Sequence, residues 1–162
     1  MVMKVCENLK EDKKVPAKRI NIVSLRMVRE GSILYDARKI NSPSEGAALG
    51  RKFLEDLDRE QLIVCSLDTK NQPISVSVVS IGSLNSSIVH PREVYKISIL
   101  ANAASIILFH NHPSGDVTPS SEDISVTKRL VEAGNIIGIS LLDHIIIGIE
   151  GDYCSLNEKG LL

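Results

Sequence analysis

An α/β fold, with a central sheet covered by helices, is the class this sequence predicts, and three observations carry the prediction. Short apolar runs rich in β-branched residues, such as Leu62 to Leu67 and Ala104 to Phe109, have the length and composition of buried strands. Between them stand helix-start signals, Ser42-Pro43, His90-Pro91 and Ser120-Ser121, so helices and strands interleave. The chain has 162 residues, 43% of them apolar, which is the size and filling of one domain with one substantial core. Aromatics are scarce, so that core must be built from Ile, Leu, Val and Ala.

Taken in order, residues 1–19 carry six basic side chains (Lys4, Lys10, Lys13, Lys14, Lys18, Arg19) against Glu7, Glu11 and Asp12, and read as a solvated, mobile basic tail ahead of a domain over 20–162. Ile20 to Val28 alternates as a half-buried strand, and Ile33 to Tyr35 is expected to pair with it after the turn at Glu30-Gly31-Ser32. Ser42 caps a helix that Pro43 opens, and Ala47, Ala48, Phe53 and Leu54 form its apolar stripe. Leu62 to Leu67 and Ile74 to Ile81 are strands joined by a hairpin loop at Asp68 to Pro73. A helix follows from His90-Pro91 to Asn102, then a strand that ends at His110. The next helix runs from Ser120 to Ala133 and stops at Gly134, and Ile136 to Gly148 forms one long or two short strands.

The chemistry concentrates in His110-Asn-His112-Pro-Ser-Gly-Asp-Val-Thr-Pro-Ser120-Ser-Glu-Asp123. Side chains at i and i+2 of a strand leave the same face, so His110 and His112 can turn one ring nitrogen each toward a common point. Pro113, Ser114, Gly115 and Pro119 break the strand, and Asp123 falls in the first turn of the following helix. Two imidazoles and one carboxylate, with a fourth position left to water, is the ligand count of a catalytic zinc and not of a closed structural one. Asp123 also stands three places after Ser120, the spacing of a capping box. Two of the chain's four histidines share one tripeptide, which favours the metal reading.

These residues resemble the JAB1/MPN/Mov34 metalloenzyme (JAMM) domain, whose motif is an upstream glutamate, His-x-His, ten residues and Asp, with a serine three places before the Asp. His110, His112, Ser120 and Asp123 meet that spacing. Within the family the chain is most similar to the bacterial RadC-like branch, through Leu67-Asp-Thr-Lys-Asn71, Gly82-Ser-Leu-Asn-Ser-Ser-Ile-Val-His-Pro-Arg-Glu-Val94 and Leu141-Leu-Asp-His-Ile145. The resemblance covers roughly Ile40 to Ile149. It implies a three-layer α-β-α fold of the JAB1/MPN type around a mixed sheet, and a zinc held by His110, His112 and Asp123. It also implies a catalytic glutamate just before the first apolar strand, the place of Glu60, with Glu55 and Glu93 as competitors. Ser120 occupies the position of an oxyanion donor, a role that competes with helix capping. Asn85, His90 and the pair Asp143-His144 belong to the branch motifs, either as partners that orient a ligand imidazole or as structural caps.

The function implied is zinc-dependent hydrolysis of a peptide or isopeptide bond, with a peptide or tail-bearing protein as substrate. The alternative is a non-hydrolytic or DNA-associated module, which the RadC name connects with DNA repair. The formal charge of -1 gives that alternative little support, because nucleic-acid binders usually show a basic excess. Any DNA binding is expected to be weak and to come from Lys4 to Arg19. Residues 1 to about 40 are too few for an upstream helix-hairpin-helix domain, so the chain looks more like the JAB-domain proteins of mobile elements. Cys6, Cys65 and Cys154 are odd in number and far apart, which favours a reducing, cytoplasmic setting. No apolar run is long enough to span a bilayer.

Overall fold

The computed structural model describes residues 18–82 and 89–162. The basic run over 1–19 therefore lies almost wholly outside the described residues, as do Cys6 and Asn85. Among the described residues eight elements follow one another: α1 (Pro43–Leu54), β1 (Gln61–Leu67), β2 (Pro73–Ile81), α2 (Pro91–Leu100), β3 (Ser105–Asn111), α3 (Ser121–Ile137), β4 (Ser140–Ile147) and β5 (Tyr153–Ser155). The strands form one sheet in the order β2-β1-β3-β4-β5. Only β3 and β4 are parallel, joined by α3, and the other pairs are antiparallel, so the sheet is mixed.

Helices cover both faces of this sheet, and strand alternation sorts the core into two halves. Leu62, Val64, Ile106 and Leu108 pack with Val94 and Tyr95 of α2 and Val126 and Leu130 of α3. Ile63, Cys65, Ile107, Phe109, Ile145 and Ile147 pack with Ala47, Leu49 and Leu54 of α1. The result is the expected three-layer α-β-α arrangement. Because both faces of β1 and β3 are covered, these strands read as continuous apolar runs and not as alternating ones. Each large side chain buried in β3 contributes roughly 1.5–3 kcal/mol, which makes the histidine-bearing strand one of the firmest parts of the molecule.

Local signals set the element ends. Ser42 Oγ accepts the Glu45 N–H at the start of α1. In the β1–β2 hairpin, Asp68 Oδ1 accepts the N–H groups of Lys70 and Gln72 at 2.8 and 2.9 Å, which is why the loop Asp68 to Pro73 closes there. At α3 the expected stop is wrong by one turn. Gly134 lies inside the helix, and Gly138 ends it with a left-handed φ of 80°. Ile136 and Ile137 consequently belong to α3, and β4 begins at Ser140. Gly134 answers a packing need: a Cβ there would fall on the Tyr95 hydroxyl and 2.6 Å from the Ile139 carbonyl oxygen. Tyr95 spans the same gap to donate to the Leu130 carbonyl at 2.8 Å. Gly134→Ala is therefore expected to destabilise the fold by about 1–3 kcal/mol through overpacking, read from a urea melt.

The strands expected over Ile20 to Val28 and Ile33 to Tyr35 are not formed. Residues 18–34 have no strand partner and are exposed, Ile22 fully so. Alternation and β propensity describe a chain that fits a sheet, and without a neighbouring strand they stabilise nothing. Close packing begins where the Lys52 ammonium donates to the Leu34 carbonyl and the Tyr35 hydroxyl to that of Glu45. Among the described residues no helix is long and apolar enough to cross a membrane.

Candidate metal centre

Alternation along β3 sends Ile106, Leu108 and His110 to the α2/α3 side. His112 lies one residue past the strand, but its N–H still bonds the Ile147 carbonyl at 3.0 Å. The ladder thus continues far enough to keep both imidazoles together. Asp123 is the third residue of α3, whose first turn sits over the end of β3. Within this group the Nε2 atoms of His110 and His112 are 2.9 Å apart. Asp123 Oδ1 lies 3.4 Å from the first and Oδ2 3.7 Å from the second. Bonds of 2.0–2.1 Å in a tetrahedron would separate ligand atoms by about 3.3 Å, so one ion fits between the three with small shifts. The described residues contain one such group, and its imidazole and carboxylate donors suit zinc.

The surroundings prepare each donor. His110 is fully buried, and desolvation together with the neighbouring His144 holds its pKa well below the imidazole range, so it is neutral at pH 7. The Asp123 carboxylate beside His112 raises that imidazole's pKa, and the Asp116 carbonyl accepts its Nδ1–H at 2.5 Å. Burial opposes the charge on Asp123, yet His112, His110 and Ser120 outweigh it and hold the carboxyl well below its usual range. Ser120 contributes three bonds: its N–H and hydroxyl donate to Asp123 Oδ2 at 2.8 and 2.7 Å, and its Oγ accepts the Asp123 N–H. The capping box and the carboxylate's aim toward the histidines are one arrangement, since the bonds from Ser120 hold Oδ2 on the His112 side and leave Oδ1 facing His110.

A cleft of about 400 Å³ opens over the group, with Glu60, His112, Ser114, Asp116, Ser120 and Asp123 among its walls. Glu60 is half-buried, and its charge acts on the His112 imidazole. Its backbone is held on both sides, because the Asn111 amide accepts from the Gln61 N–H at 2.8 Å and donates to the Arg59 carbonyl at 3.0 Å. The Glu60 carbonyl accepts from Gly82. Glu55 is exposed at the end of α1 and lines a second cleft, of about 260 Å³, on the other side of His112. Glu93 pairs with Lys96 on the outside of α2. In the arrangement seen, the Ser120 hydroxyl hydrogen is committed to Asp123, so donation to a substrate oxygen requires the hydroxyl to turn.

The residues of the branch motifs separate. His90 is exposed at the start of α2 and makes no side-chain cap. Asp143 is a structural tie, accepting from the Ser155 hydroxyl and from the His144 and Asn157 N–H groups. His144 instead touches His110. Asn111, Thr127 and the Asp116 carbonyl were not anticipated. Thr127 lies four residues after Asp123, the same-face spacing of a helix, which was the available signal. No local pattern marks the other two.

Comparison with known proteins agrees with this geometry. The RadC-like JAB domain family matches residues 40–161. A UPF0758 protein of Clostridium acetobutylicum is 59% identical over 128 residues, 79% of this chain and 56% of its own length. One from Desulforamulus reducens is 56% identical over 123 residues, 76% of this chain and 54% of its own. A third, from Methanococcoides burtonii, is 50% identical over 150 residues, 91% of this chain and 65% of its own. The chain thus spans about half to two thirds of the length of these relatives. With the JAB-type fold and its His-His-Asp group, the chain belongs to the RadC-like JAB domain family.

Proposed function

We propose that this domain is a zinc-dependent hydrolase of peptide or isopeptide bonds. The observation that carries the reading is a glutamate, Glu60, that lines one cleft together with His112 and Asp123 of a His-His-Asp group able to hold a metal, with His110 buried behind them. His110, His112 and Asp123 would hold the ion, which when bound lowers the pKa of water from ~15.7 toward about 7 and polarises a carbonyl. Glu60 acts as general base toward the attacking water and returns the proton to the departing amine. Ser120, once its hydroxyl turns from Asp123, donates to the oxygen on which negative charge develops. Asn111 keeps Glu60 at the rim by clamping the residues on either side of it. The clefts on the two sides of His112 favour an extended substrate, such as a peptide or a flexible protein tail, lying across the centre. The two free thiols among the described residues, Cys65 and Cys154, are buried, in keeping with a reducing, cytoplasmic setting.

The test is a library of peptide and isopeptide-linked substrates, run with zinc-loaded protein and with a Glu60→Gln control. Zinc-dependent cleavage that disappears in the control is expected. DNA binding should be weak, steeply reduced by salt, and lost on deleting residues 1–19 while hydrolysis persists. Zinc-dependent DNA cleavage that tracks Glu60 and His112, with no turnover of any peptide or isopeptide, would replace this reading with a nuclease.

A further inference from the structure

A strand pattern without a sheet and a sheet edge without a neighbour stand apart in this chain, and they match. Residues 20–28 are exposed along their whole length and pair with no strand among the described residues. Alternation nonetheless sorts their side chains: as a strand, Val23, Leu25 and Met27 fall on one face and Ser24 and Arg26 on the other. Among the described strands β2 bonds only to β1, so one row of its N–H and C=O groups faces outward. Its side chains are sorted in the same way. Val76 and Val78 stand opposite Cys65 and Ile63 and share the α1 side, Val78 being 53% exposed, whereas Ser75 and Ser77 stand opposite Ser66 and Val64 on the other side. Charged side chains or an internal proline commonly blunt such edges. The nine residues of β2 have no charge, and Pro73 only opens the strand. The register shifts fall on either side of Ser75 to Val78, which leaves that stretch a regular template.

We infer that residues 20–28 of one copy of this chain add as a sixth strand to the β2 edge of a second copy, and that mutual exchange of these arms makes a dimer. Val23, Leu25 and Met27 then continue the apolar row of Val76 and Val78, while Ser24 and Arg26 lie beside Ser75 and Ser77. Main-chain bonds supply the attachment, and side chains that are 81% exposed at Val23 and 74% at Leu25 in the single chain gain cover. Each copy offers one arm and one edge, so the exchange is two-fold and closes at two chains. The root of the arm favours a second copy over the chain's own edge. Toward the N-terminus the chain leaves the β1–β2 loop at Ile40, whose N–H bonds the Asn71 carbonyl, and by Tyr35 and Leu34 it is tied to Glu45 and Lys52 of α1. That helix packs over β3 and β4, so β1 stands between the root of the arm and its own β2.

The experiment is sedimentation of the full chain over a concentration series, with amide hydrogen exchange measured at each concentration. A dimer is expected, and protection of residues 20–28 should appear as it forms. Successive N–H groups of a strand point to opposite sides, so the double variant Ser24→Pro/Leu25→Pro removes one that faces β2 whatever the register. It should raise the dissociation constant about 10-fold or more, because a proline cannot donate to the ladder. Both positions are exposed in the single chain, so the domain keeps its fold. Val78→Lys places a charge on the edge and should weaken the dimer from the other side. Mixing the two variants should recover dimer, since an intact arm then meets an intact edge. A chain that stays monomeric at every concentration would overturn the inference, whether residues 20–28 are unprotected or are protected on their own β2 edge. A dimer that the double variant leaves unchanged would overturn it as well.

Discussion

His112→Ala is expected to lose most of the bound zinc. Apparent binding energies of about 10–16 kcal/mol for four-ligand sites imply roughly 3 kcal/mol per ligand, so affinity should fall on the order of 10²-fold or more. Metal analysis after dialysis against a weak chelator checks it, with wild type expected to retain about one ion per chain as a single three-ligand site requires. The pH dependence has a definite sign. Asp123 raises the His112 pKa, so a proton competes with the metal to a higher pH than at an ordinary histidine. Wild-type zinc affinity should therefore climb as pH rises through the imidazole range. In metal-free protein the same attraction contributes stability in full below the unfolded pKa of about 6.5 and loses it as pH rises through the raised folded value. Urea melts of the metal-free wild type should show that loss, and His112→Ala should not. Wild type that binds no zinc when it is offered would end the metal reading.

Glu60→Gln is expected to retain zinc and fold while hydrolysis slows by at least ~10²-fold, because the change removes a proton acceptor and no ligand. Kinetics beside metal content separate the two effects. A fully active Glu60→Gln with an inactive Glu55→Gln would move the base to the second cleft. Ser120→Ala is a less clean probe of the oxyanion role. The change removes the side-chain cap of α3, worth about 1 kcal/mol, and one of the two bonds that hold Asp123 Oδ2, so zinc should weaken alongside the rate. Only a rate loss of roughly 10² or more beyond the zinc deficit would count for a donor at the reacting oxygen.

The sequence carried the order of elements from Ser42 onward because each had a local cause: Ser42 and Ser120 as caps, Asp68 in the hairpin, and buried apolar runs at β1 and β3. It also marked the His-His-Asp group that could hold a metal, since strand periodicity aims His110 and His112 together and a short turn returns Asp123. It misled at Ile20 to Val28, where a strand pattern meets no strand, and at Gly134, where a glycine serves the approach of Tyr95 and not a helix end.

By itself, then, the sequence determined the fold class, the helix starts and the donor set, all of which depend on contacts between residues near in the chain. Tertiary structure alone decided the rest. Asn111 clamps a segment fifty residues earlier, and His144 reaches His110 from the neighbouring parallel strand. Glu60 enters the cleft because β1 pairs with β3 in a register that sets Leu62 against His110. These relations link residues far apart in sequence, and only sheet pairing and helix packing bring them within hydrogen-bond distance.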